Sequence, residues 1–106
     1  MSNEVAHIIY MSSESILDVL IKENYYRDSL QLLKISDNIK QNDGILEAAV
    51  VMATKTNKEI LNRLGFNLPK IDQAKNTDVI IAIVAQDRES LDSVLSRADS
   101  FLVSTG

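Results

Sequence analysis

A small α/β sandwich of two or three layers is the fold class this sequence predicts, and three observations predict it. Two apolar runs, Ala48–Ala53 and Val79–Ala85, read as strands buried on both faces, and both fall well short of the ~20 residues that span a bilayer. A single helical face, spaced three and four residues apart, runs through Leu91, Val94, Leu95, Ala98, Phe101 and Leu102. Strand-like and helix-like segments alternate along the chain, and each apolar strand face needs a helix to cover it. The expected inventory is three to four strands, two long helices and one short one. A ferredoxin-like α+β arrangement is the alternative, and its fourth strand would come from Ile8–Met11.

Taken in order, residues 1–15 form an N-terminal arm or edge strand, and residues 16–106 a single α/β domain. The segment from Ile16 to Glu23 places Leu17, Val19 and Ile21 on one face and Asp18, Leu20 and Lys22 on the other, the period of a strand. Asn24 suits a helix cap, and Asp28 would sit near the positive end of the dipole of a long amphipathic helix reaching Gln41. Asn42-Asp43-Gly44 stops it, because these residues tolerate a positive φ. Ile45–Ala53 follows as a strand expected at the centre of the sheet. Thr54 or Thr56 caps a short helix from about Asn57 to Leu64, with Ile60, Leu61 and Leu64 inward and Gly65 at its end. Phe66 to Asp78 reads as a loop holding the only proline, Thr77–Ala85 as the third strand, and Asp87 as the cap of one last helix. A parallel open sheet fits the alternation.

Composition narrows the function classes. With 106 residues, 45% apolar and 25% charged, the chain is ordinary for one globular core. It has no cysteine, so disulfides, thiolate metal sites and cysteine nucleophiles are all excluded, which suits the cytoplasm. The net charge of −4, with basic residues scattered, offers nothing to nucleic acid or to an anionic membrane. Met1 to Ser15 lacks the pattern of a signal peptide.

Two strand-to-helix junctions are the candidate binding residues. Thr54, Lys55, Thr56, Asn57 and Lys58 combine free helix-start N–H groups with two ammonium groups, a combination that attracts anions, although capping alone also explains Thr and Asn there. Tyr25, Tyr26, Arg27, Asp28 and Ser29 put a guanidinium, a carboxylate and hydroxyls within one turn, and the same residues suit a first helical turn. No catalytic residue is assigned; a small enzyme would need Ser29, Asp28, Lys58 or His7 to converge. His7, the single histidine, has only Glu4 near it and reads as a surface residue, and Asp72, Asp78, Asp87, Glu89 and Asp92 read as solvated.

Three blocks carry a resemblance: Asn24 to Leu33, Leu46 to Thr54, and Asn57 to Gly65, continued by Asn76 to Ile83. Together they resemble the N-terminal domain of FdrA-family proteins, which are related to succinyl-CoA synthetase. The chain departs from that pattern at Ala53-Thr54, where Gly-Thr is usual, and at Lys75 to Asp78, where proline is usual. The resemblance implies a non-catalytic binding or assembly module within an acyl-CoA-synthetase-type or carbamoyltransferase complex. It also implies synthetase-like partner domains or subunits, with CoA or a nucleotide only in the wider assembly; homo-oligomers are expected as well. A sensor of small anionic metabolites is the alternative function.

Overall fold

The computed structural model describes residues 15–104, so the strand expected at Ile8–Met11 and the single histidine lie outside the described residues. The described elements are β1 (Ile16–Lys22), α1 (Ser29–Lys40), β2 (Ile45–Met52), α2 (Lys55–Arg63), α3 (Pro69–Gln73), β3 (Val79–Ala85), α4 (Arg88–Ser96) and α5 (Ala98–Ser104). The strands form one sheet in the order β1-β3-β2, with β3 antiparallel to both neighbours. β1 and β2 therefore run parallel to each other, joined through α1, with a later strand inserted between them. This is the split β-α-β of a ferredoxin-like fold, to which helices α2 and α3 have been added between β2 and β3.

Those added helices make the sandwich three layers deep. On one face Val79, Ile81, Ile83 and Ala85 of β3 pack with Leu32, Ile35 and Ile39 of α1 and with Leu91, Val94 and Leu102 of the last two helices. On the other face Ile80 and Ala82 pack with Val19, Leu61, Phe66 and Ile71. Because β3 is paired on both edges and covered on both faces, almost every one of its residues is buried.

Local chemistry explains where the helices begin. Asp28, Thr54 and Asp87 each accept a hydrogen bond from the backbone N–H three residues on, closing the N-termini of α1, α2 and α4. Asn24 does not cap α1, as its sequence position suggested; it holds a left-handed turn at φ 50° four residues earlier. Gly44, at φ 81°, lies so close to Ser90 that a β-carbon would collide with its hydroxyl, so the turn into β2 requires glycine.

Several expectations are corrected. The sheet is antiparallel, since the parallel pair β1 and β2 never touch. β2 is an edge strand and β3 the central one; both look equally apolar because helices cover both sides of the sheet, whatever the strand's lateral neighbours. The loop before β3 contains a short helix started by Pro69, whose fixed φ suits a first helical position. Of the three residues expected inward on α2, only Leu61 is buried, while Ile60 and Leu64 are 43% and 64% exposed. The last helical stretch is two helices, broken at Arg97. Among the described residues no helix is long and apolar enough to cross a membrane.

Candidate functional site

The parallel course of β1 and β2 puts both strand-to-helix junctions at one end of the sheet. In the register, Lys22 at the end of β1 and Met52 at the end of β2 stand level with Val79 at the start of β3. The N-termini of α1 and α2 consequently rise from the same end.

Asp78, immediately before β3, ties these junctions together. Its carboxylate accepts the N–H of Asn24 at 3.0 Å and that of Lys75 at 2.8 Å, and its carbonyl accepts the N–H of Ala53 at 2.9 Å. Next to it, the Thr77 carbonyl accepts the N–H of Tyr25. Only 4% exposed, Asp78 is a buried post and not the solvated carboxylate its loop position suggested. The N–H groups of Lys75 and Asn24, in that order, hold its pKa below the ordinary value for aspartate, because each stabilises the charged form.

The first junction is braced further by its aromatic residue. The Tyr25 hydroxyl donates to the Leu102 carbonyl at 3.1 Å, fixing the ring, and the Arg27 guanidinium lies 4.1 Å from the ring centroid. Arg27 also donates to the Tyr26 carbonyl at 2.8 Å. The cation is thus held at a defined place on the lip of the site.

Beside it opens a groove of about 640 Å³, running between α1 and the outer edge of β2. Leu32, Leu33, Ala49, Val51 and Met52 provide apolar walls, while Arg27, Ser29, Thr54 and Asn57 stand at the end where the junctions meet. Asp37 and Lys40 line it as well. The volume falls in the range of small-ligand sites, about 300–1,000 Å³.

Of the seven residues singled out from the sequence, Ser29, Thr54 and Asn57 reach this groove. Asp28 caps α1 and lines a separate shallow depression with Gln31. Asn57 also donates to the Met52 carbonyl at 2.8 Å. Lys55 and Thr56 occupy the exposed first turn of α2, away from the groove lining. Lys58 is turned elsewhere: its ammonium donates to the carbonyls of Asp72 and Ala74, closing the C-terminal end of α3. Ser29 thus lines the groove, Asp28 the neighbouring depression, and Lys58 neither. Sequence reasoning missed Asp78 and the groove walls, whose partners are brought together only by the strand order.

Comparison with known proteins adds a family. The family model for the AllF heavy metal-associated domain matches residues 11–106. The chain belongs to that family. The uncharacterized protein YahF of Escherichia coli (strain K12) is 45% identical over 65 residues, which cover 61% of this chain and 13% of YahF. The chain therefore spans about an eighth of that relative's length. No solved structure matches it.

This assignment overturns the resemblance to the FdrA family and with it the synthetase-related reading. The blocks that suggested it are a helix cap with an amphipathic helix, a buried strand and a second capped helix, patterns that this α/β topology imposes by itself. The family description names heavy metals, yet the described residues of this chain do not fit one. Soft metal ions are selected by thiolates, and the chain has no cysteine. Among the described residues, moreover, no three His, Asp or Glu side chains gather.

Proposed function

We propose that this AllF-type domain is a non-catalytic binding module whose working surface is the groove between α1 and β2. Its ligand is a small anion with an apolar body. One observation carries the reading: both strand-to-helix junctions open on the same apolar groove, with Arg27 fixed at its lip. An anionic head would meet the guanidinium and the first turn of α1, where backbone N–H groups and the helix dipole favour negative charge. The apolar body would lie against Leu33 and Val51. In the long relatives of the family, such a domain would sense or hold a ligand for the rest of the polypeptide.

The test is a calorimetric and thermal-shift panel of carboxylates, phosphate esters and nucleotides on the chain and two variants. Binding of at least one anion, lost in Arg27→Ala and in Leu33→Asp while the fold persists, is the expected result. A flat panel sinks the proposal.

A second reading rests on the rim. Tyr26, Leu30 and Leu33 are 69%, 63% and 56% exposed along one side of α1, an apolar surface suited to a protein segment. Under that reading Leu33→Asp would abolish association with a partner, whereas Arg27→Ala would leave it nearly unchanged.

A further inference from the structure

Independently of the groove, we propose that the outer edge of β1 is a self-recognition edge, on which β1 of a second copy pairs antiparallel with Leu20 at the twofold axis. Among the described residues no strand pairs with this edge, since β3 lies on the other side. The strand is well suited to pairing: its seven residues keep an unbroken register with β3, with no bulge, glycine or proline.

The register follows from two constraints. Val19 turns its main-chain groups outward, as its N–H bonds to Asp18 and its C=O accepts from Lys70, so the odd-numbered residues carry the free edge. An added strand must therefore pair odd residues with odd residues. Among such registers, the one centred on Leu20 sets Asp18 of each copy opposite Lys22 of the other, on one face and twice over. Shifting by two residues in either direction puts Lys22 against an apolar residue, and a further shift towards the strand start brings the two Asp18 side chains together. Charge complementarity thus selects a second copy, in one register.

The present contacts of these charges are exposed ones that pairing can exchange. Asp18 accepts from Lys70 at 3.4 Å and Lys22 donates to Asp99 of α5 at 3.0 Å, the Asp18 and Lys22 side chains being 31% and 38% exposed and their partners more so. When a second strand arrives, its Ile21 takes over the main-chain groups of Val19, Lys22 of that copy takes Asp18, and Lys70 is released to water. Lys70 is therefore a plug that weakens pairing without replacing it.

Because the chain has no cysteine, a single introduced one reports the register. At a site opposite itself across an antiparallel pair, the two Cα atoms stand about 4.5–5.5 Å apart, within reach of a disulfide. Leu20→Cys is expected to yield a covalent dimer under mild oxidation and Leu17→Cys to yield none. In sedimentation equilibrium, Asp18→Lys should weaken self-association roughly tenfold, the double exchange Asp18→Lys/Lys22→Asp should restore it, and Lys70→Ala should strengthen it. A chain that stays monomeric, or a dimer indifferent to the charge exchange, overturns the proposal. So does a monomer whose β1 amides are protected from hydrogen exchange, because a segment of the same chain would then hold the edge.

Discussion

The two edges of this sheet meet the same problem with different chemistry. An edge strand presents unpaired N–H and C=O groups, and each must find a partner. At β2 the partner is buried and neutral: the Ser36 hydroxyl, 7% exposed on α1, accepts the N–H of Val50 at 2.9 Å and donates to the Leu32 carbonyl at 3.1 Å. At β1 it is charged and accessible, the Asp18 and Lys70 pair around Val19. A hydroxyl locked under a helix is a permanent seal. An ion pair in water is a cover that can be lifted, which is why the groove at β2 reads as a site for a ligand lying on the edge and β1 as one for a strand joining it.

The largest expected effect comes from removing what holds the β2 seal down. Ile35 of α1 is fully buried, and Ile35→Ala should cost about 2–5 kcal/mol in urea unfolding through lost burial and the cavity left behind. Ser36→Ala should cost roughly 1–3 kcal/mol, because it strands the Val50 N–H without changing the packing volume much. If hydrogen exchange at Val50 rises in Ser36→Ala but not at Val19, the two seals are independent, as the comparison requires.

Asp78→Asn is expected to act at both junctions at once, loosening Asn24 and Lys75 while keeping an oxygen acceptor. The same carboxylate gives a pH test. Its folded pKa lies below its unfolded value of about 3.9, so its contribution to stability is fully present above that value and is lost as pH falls through the folded pKa. Denaturant midpoints measured across acid pH should fall less steeply in Asp78→Asn than in the parent chain. The smallest effect belongs to the β1 cover: Lys70→Ala should change the stability of the monomer by about 0–1 kcal/mol, as for exposed ion pairs generally.

Much of this architecture was legible in the residues, and the reasons for what was not are physical. Thr54 and Asp87 were readable as caps because capping acts over three residues, and the apolar character of β2 and β3 declared a sheet covered on both sides. Lateral order leaves no such mark, so the edge strand β2 looks central in the sequence. The five-residue helix α3 was too short to show a period, and Asp78 looked solvated because its partner Asn24 is 54 positions away. Of the junction residues, Ser29, Thr54 and Asn57 line the groove, whereas Lys58 does not. Its ammonium found carbonyls at the end of a helix that the sequence did not announce.

The strand order also sets a timetable. β3 is the last of the described strands and the one that both edge strands pair with, so none of the described strand pairs can form while β3 has yet to leave the ribosome. Until about residue 85 emerges, β1 and β2 wait as two apolar segments held apart by a single helix. Such long-range closure is slow compared with local folding, and it leaves both segments exposed to wrong partners meanwhile. The Asp18 and Lys22 charges on the first of them would then act during synthesis, keeping a newborn strand in water before its neighbour exists.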